Sequence, residues 1–215
     1  MTAGNVEPGL LLVVSAPSGA GKTSLVNALV SLDPNITVSV SHTTRARRGN
    51  EKDGEDYYFV DAPRFAAMRD AGAFLEHATV FGNSYGTSRD SVGRELAAGR
   101  DVLLEIDWQG AQQIRRSFPS AVSLFILPPS HDALLERLRR RGEDNDEAIR
   151  KRTAEAVIEM SHHDEYDYVV VNDRFDDAVD DLQAIIRAER LRTSRQVRRR
   201  QALLRDLLSH AKPIQ

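Results

Sequence analysis

Apolar residues in this chain fall in short continuous blocks separated by polar stretches with helical spacing. Leu10–Val14, Val102–Ile106, Ala121–Leu127 and Tyr168–Val171 are near-unbroken apolar runs, and Ile36–Val40 (ITVSV) reads as a short strand. Runs of this kind predict strands covered on both faces, as in a parallel sheet. Leu25, Val26, Leu29 and Val30 recur at helical spacing, which predicts a helix ending near Leu32, before the Asp33-Pro34 break. Further helices are predicted over Ser91–Ala98, stopped by Gly99, and over Gly110–Arg116. Ser130 is a good N-cap for Asp132–Arg140. After a turn at Arg141–Asp144, Asp146–Met160 is predicted helical, and so is the chain from Phe175 to near the C-terminus. Alternation of strands and helices predicts an α/β fold with a mostly parallel sheet. The block from Ser41 to about Asp90 departs from that rhythm. A polar stretch, Ser41–Asp56, precedes a strand at Tyr57–Val60 and a short helix at Ala62–Ala71. Phe74–Val80 alternates as a strand, and Phe81–Thr87 reads as a hairpin-like turn. This is the composition of a small α+β insertion.

The 215 residues suffice for a sizeable core, and 41% hydrophobic with 28% charged residues is ordinary for a globular chain. A formal net charge of -3 gives no general attraction to nucleic acid. The absence of cysteine excludes disulfides, thiolate metal sites and cysteine nucleophiles. The N-terminal residues lack the pattern of a signal peptide, and no apolar run is long enough to span a bilayer. A cytoplasmic location and no membrane partner are therefore expected.

The chemistry concentrates at Leu10–Ser24, LLLVVSAPSGAGKTS, where a strand runs through a glycine-rich turn into a helix. That is the context a P-loop requires. The amides of Ser18, Gly19, Ala20, Gly21, Lys22 and Thr23 can turn inward as a nest for phosphate oxygens, helped by the start of a helix. Lys22 can reach the β- and γ-phosphates, and the Thr23 hydroxyl can sit on Mg²⁺. The turn departs from the strict motif once, because Ala16 stands where the first glycine would be. In parallel sheets ligands gather at the carboxyl ends of strands. The P-loop, Ser41, Asp107 and Asn172 all follow predicted strands directly.

A P-loop alone says only nucleotide. The ordered motifs SVSHTTRARRGNEKDGEDYYFV, FLEHATVFGNSYGTS, VLLEIDWQGAQQI, FILPPS, ERLRRRG and VVVND, together with SAPSGAGKTS, resemble the guanylate kinase family over about Leu10–Ala188. The resemblance implies a three-layer P-loop NTPase fold with a GMP-binding insertion and a helical lid, and ATP with Mg²⁺ as co-substrate and cofactor. On these motifs the core would take residues 1–40, 91–128 and 155–215, the GMP-binding unit 41–90 and the lid 129–154. The resemblance implies ATP contacts at Ala16, Pro17, Ser18, Gly19, Ala20, Gly21, Lys22, Thr23 and Ser24, with Asn172 on the adenine side. Arg45 and Arg48 would fork onto the GMP phosphate, with hydroxyls from Tyr57 and Tyr85. Gly86 belongs to the same implied GMP set. Ser41, Glu105 and Asp107 would line the site near base, ribose and Mg²⁺. Glu76 would read guanine, since a carboxylate accepts from N1–H and the 2-amino group together. Thr87, where the family often has serine, would join Ser41 on the O6 side. Arg137, Arg141 and Arg152 match lid arginines that would close over the transferring phosphoryl group.

Taken singly, these residues have ordinary uses. The arginines suit a solvated surface, Glu76 suits a solvent-facing strand position, and Asp107 suits a helix cap. The six histidines show no ligand spacing with acids, so no structural metal site is expected. A catalytically inactive binding module, a kinase for another nucleoside monophosphate and a P-loop hydrolase are the rival readings. The retained Lys22, Arg45, Arg48 and Arg137 disfavour the first, and Glu76 with Ser41 and Thr87 disfavours an adenine acceptor. No arrangement that would orient an attacking water is apparent for the third. Ala188–Gln215 runs past the resemblance, with seven arginines interleaved with leucines. A solvated helix or a frayed tail fits that composition; contact with a partner subunit or RNA is the sharper alternative for this segment, and no nucleic-acid partner is predicted for the protein.

Overall fold

The computed structural model describes residues 7–80, 82–140 and 146–209. Strand β1 (Leu11–Ser15) leads through the glycine turn into helix α1 (Lys22–Leu32), followed by β2 (Ile36–Val38). Next come β3 (His42–Thr43), β4 (Tyr58–Phe59), α2 (Ala62–Asp70), β5 (Phe74–Val80), β6 (Asn83–Ser88) and α3 (Arg89–Ala97). The chain then alternates through β7 (Asp101–Glu105), α4 (Trp108–Ser117), β8 (Val122–Leu127), α5 (His131–Arg140) and α6 (Asp146–Met160). It ends with β9 (Tyr168–Val171), α7 (Phe175–Arg190), α8 (Thr193–Arg199) and α9 (Gln201–Ser209).

Five strands form a parallel sheet in the order β2-β7-β1-β8-β9. Its central strand is β1, whose Leu12 lies opposite Leu103 on one side and Val122 on the other. Successive strand residues point to opposite faces. Leu12 and Val14 accordingly join Leu25, Leu29, Leu182 and Ile186 beneath α1 and α7. Leu11 and Val13 join Val92, Leu104, Ile114 and Phe125 beneath α3 and α4. This double burial explains why the core strands lack polar alternation. A second sheet, β4-β3-β6-β5, is built from the residues between β2 and α3.

Three expectations are corrected. Asn83–Ser88 is a strand, and the left-handed Gly82 (φ 76°) lies between it and β5. Its small polar residues form a strand because β6 pairs on both sides, Gly86 opposite His77 of β5 and His42 of β3. The polar stretch after Ser41 contributes the short strand β3 to the same sheet. The C-terminal helix is interrupted at Leu191–Arg192, where Arg192 takes an extended conformation. The buried face of α7, Ala178 through Ile186, ends just before that point, and α8 and α9 bury no residue of their own. The predicted turn at Arg141–Asp144 lies outside the described residues.

The base of the sheet is held by one charge cluster. Asp101 is only 3% exposed, and its carboxylate accepts the Leu10 N–H at 2.6 Å and Arg190 Nε at 2.7 Å. The same guanidinium donates to Asp33 at 2.6 Å, tying α7 to the end of α1 and the start of β7. Removing one partner of such a cluster strands a buried charge, which costs about 3 kcal/mol. Arg190→Met should lower the unfolding free energy by about that much in urea titrations, whereas exposed Arg199→Met should leave it within about 0.5 kcal/mol.

Candidate active site

The P-loop turns on two left-handed glycines, Gly19 (φ 90°) and Gly21 (φ 92°). At Gly21 a side chain is also sterically excluded, because a Cβ there would come within 2.5 Å of Asn172 Nδ2. That amide donates to Ala20 O at 2.7 Å from the end of β9. Arg137 on α5 donates to Ala20 O at 3.3 Å and to Asn172 O at 2.9 Å. Asn172 and Arg137 therefore brace the back of the loop. Asn172, expected on the adenine side, is buried, with its amide committed to the loop backbone.

At the front, Lys22 Nζ donates to Ile106 O at 3.4 Å and lies 4.0 Å from Glu105 Oε1. Thr23 Oγ1 donates to the same carboxylate at 2.5 Å. The adjacency follows from the parallel pairing of β1 with β7, which brings both strands' carboxyl ends to the same edge. Ala16, Pro17, Ser18 and Ser24 occupy the flanks of this turn. Asp107 caps α4, with Oδ1 accepting the Gly110 N–H at 2.9 Å. Its other oxygen accepts from Gln109 at 3.0 Å.

The second sheet presents Glu76, which is 3% exposed. It does not face solvent as an isolated reading of the alternation allows. Thr87 donates its hydroxyl to Glu76 at 2.5 Å, and Ser41 Oγ lies 3.4 Å from Thr87 Oγ1. Gly110 of α4 closes over this carboxylate, since a Cβ there would lie 2.5 Å from Glu76 Oε2. Burial pushes the Glu76 carboxyl up to about 7, and the nearby Asp107 charge adds to the shift against the opposing Thr87 hydrogen bonds.

Arg45, Tyr57 and Tyr85 form a second cluster on this sheet. The tyrosine rings are 6.0 Å apart in edge contact, and the Arg45 guanidinium sits 5.3 Å from the Tyr57 ring centre. The fork of Arg45 is closed on Glu51 by bonds of 2.6 and 3.1 Å. Glu51 also accepts the Arg48 N–H at 2.8 Å, while the Arg48 side chain is exposed. Buried Gly86 packs where a Cβ would meet the Phe74 ring at 3.0 Å. Arg152 lies on α6, and Arg141 falls outside the described residues.

A sequence model described as guanylate kinase matches residues 9–189, most of the chain. Guanylate kinases of Salmonella typhimurium and Escherichia coli are each 59% identical over 203 residues, which cover 94% of this chain and 98% of the relative. That of Thiobacillus denitrificans is 57% identical over 197 residues, covering 92% and 94%. The crystal structure of guanylate kinase from Anaplasma phagocytophilum matches with a TM-score of 0.76 at 41% identity, over 97% of this chain and 98% of that one.

The chain belongs to the guanylate kinase family.

Guanylate kinase relatives also carry the segment that the sequence left unmatched. An alignment of 203 residues is longer than the stretch up to residue 189, so it continues beyond α7. Two carboxylates that bond candidate site residues escaped sequence reasoning. One is Glu51, in register with the arginines but hidden in a charged run. The other is Glu159 on α6, which accepts the Ser18 N–H at 3.1 Å. Its spacing of four from Glu155 is the one signal the sequence holds.

The raised Glu76 carboxyl has a stability consequence. Between the ordinary glutamate value of 4.5 and about 7 the folded chain keeps a proton that the unfolded chain has lost, so stability falls as pH rises through that window. The loss amounts to about 3 kcal/mol. Glu76→Gln should not suffer it. Its stability advantage over the parent, measured by urea unfolding, should grow by about 3 kcal/mol from pH 4.5 to 7.

Proposed function

We propose that this guanylate kinase family member transfers the γ-phosphoryl group of ATP to GMP, giving ADP and GDP. The observation that carries the reading is Glu76. A carboxylate buried on a separate small sheet, with hydroxyls of Thr87 and Ser41 beside it, matches a base with two adjacent donors and one acceptor. Guanine has N1–H, the 2-amino group and O6; adenine lacks the donor pair. Binding would replace solvent-poor isolation of the charge with two hydrogen bonds and so relieve the cost of ionising Glu76.

Residues 41–90 then serve as the GMP-binding unit, 129–154 as the lid, and 1–40, 91–128 and 155–215 as the core. Arg45, Arg48, Tyr57 and Tyr85 would take the GMP phosphate, with Arg45 exchanging its Glu51 partner for phosphate oxygens. The amides of Ser18–Thr23 and Lys22 would hold the ATP phosphates, and Arg137 would fix the loop from behind while reaching the transferring group on lid closure. Arg152 would add charge from α6, and Arg141 has the same role in this proposal. A GMP phosphate oxygen is already anionic, so no general base is required. It attacks the γ-phosphorus as the bond to the ADP oxygen breaks, and these cations neutralise the charge in transit. Closure would keep water away from the phosphoryl group.

The donor set at Thr23 fits Mg²⁺. Its hydroxyl donates to Glu105, which leaves the oxygen lone pairs to face a cation. Among the described residues no group of three acidic, histidine or cysteine side chains forms a full cage. That suits a metal that keeps waters and takes phosphate oxygens. Mg²⁺ held there by Thr23 and Glu105 would supply positive charge that offsets the charge of the ATP phosphates. No helix among the described residues is long and apolar enough to cross a membrane. We place the reaction in the cytoplasm. Exposed Val197, Leu203, Leu207 and Leu208 on the Arg-rich C-terminal helices suit a subunit contact.

ADP formation from ATP and Mg²⁺ should require GMP and not follow with AMP, CMP or UMP. Glu76→Gln should lower kcat/KM for GMP about 100-fold, equivalent to about 3 kcal/mol, without raising AMP turnover to the level of the parent with GMP. Equal turnover with AMP would remove the guanine assignment. Tight GMP binding without turnover would point to a binding module.

A further inference from the structure

The P-loop has an internal occupant. Glu159, in the last turn of α6, points its carboxylate at the nest, where Oε2 accepts the Ser18 N–H at 3.1 Å. The bond spans 141 residues of chain, so it is a tertiary contact and not a local cap. The Lys22 charge also acts on this carboxylate favourably. Burial nonetheless pushes the Glu159 carboxyl up, and the negative charges of Asp107 and Glu155 push it the same way. A carboxylate is thus held in unfavourable surroundings by the Ser18 amide, with the Lys22 charge acting in its favour through space.

We propose that Glu159 is a positioning residue that stands in for a nucleotide phosphate and must leave the Ser18 amide when ATP binds. The inference rests on the P-loop binding ATP phosphates, as set out above. Two negative groups cannot share one N–H donor at hydrogen-bonding distance, so phosphate and carboxylate compete. Glu159 has somewhere to go, because a cleft of about 170 Å³ beside it is lined by Thr79, Val80, Asp107, Trp108 and Glu155. The exchange also links the nucleotide to the helix. Trp108 stacks on His162, three residues beyond Glu159, with ring centres 3.8 Å apart and planes 9° from parallel. Expelling the carboxylate shifts the end of α6 against Trp108, so filling the P-loop is transmitted to the segment that follows the lid.

Glu159→Gln keeps the shape and removes the charge. Isothermal titration without GMP should show tripolyphosphate and Mg-ATP binding about fivefold tighter to Glu159→Gln than to the parent, with Glu159→Asp near the parent. Trp108 is the chain's single tryptophan. Its emission should change on adding Mg-ATP to the parent, and in Glu159→Gln it should start nearer the ATP-bound value. A merely structural glutamate would give weaker or unchanged binding on neutralisation, and either result overturns the proposal. Because these readouts need no acceptor, failure of GMP phosphorylation would leave the inference standing. Absence of any ATP or tripolyphosphate binding in the parent would overturn it together with the P-loop assignment.

Discussion

The turn from β1 into α1 is the constraint on which the other parts depend. It needs left-handed backbone at Gly19 and Gly21, and it needs the space above Gly21 to be left for Asn172. Asn172 and Arg137 converge on one carbonyl, that of Ala20, from β9 and α5. A loop whose amides point outward to a ligand must have its carbonyls satisfied elsewhere. The brace supplies that partner and makes the loop a preorganised donor array. The end of β9 and helix α5 are both attached to it.

Around this array the protein neutralises its own binding groups. Glu105 accepts from Thr23, Glu51 closes the fork of Arg45, and Glu159 takes the Ser18 amide. These three donors are thereby each held in a defined place by a carboxylate. The arrangement avoids uncompensated positive charge and keeps flexible side chains ordered. It also means that ligand affinity is a difference between two sets of charged hydrogen bonds, which makes the resident acids as consequential as the residues that touch substrate.

Glu76 follows the opposite logic. It faces a hydroxyl and not a cation, and its burial opposes ionisation. A carboxyl placed this way suits recognition better than stability. Gly110 at the start of α4 and Thr87 on β6 confine it from the core and from its own sheet. Glu76 and the cap of α4 are thus adjacent pieces of one construction, linked through Asp107 and Gly110.

Much of this was legible along the chain. Near-unbroken apolar runs identified four of the five core strands to within a residue at each end, because burial on both faces removes polar alternation, and the short ITVSV stretch identified the fifth. The glycine pattern located the strand-to-helix turn with its left-handed Gly19 and Gly21, because left-handed backbone and small side chains are local requirements. The family motifs named Arg45, Tyr57, Glu76, Tyr85 and Thr87, which gather on the second sheet. Other features depended on partners distant in sequence. Asn83–Ser88 has the composition of a turn and becomes a strand only because β3 and β5 flank it. Glu76, Glu51 and Glu159 are alike as residue types, yet one is buried beside a threonine, one is paired with arginine and one is seated on the P-loop. Side-chain type and spacing determined which chemistry was present. Only the tertiary structure decided which charges meet, because burial and counter-charge are properties of neighbours that the chain brings together from far apart.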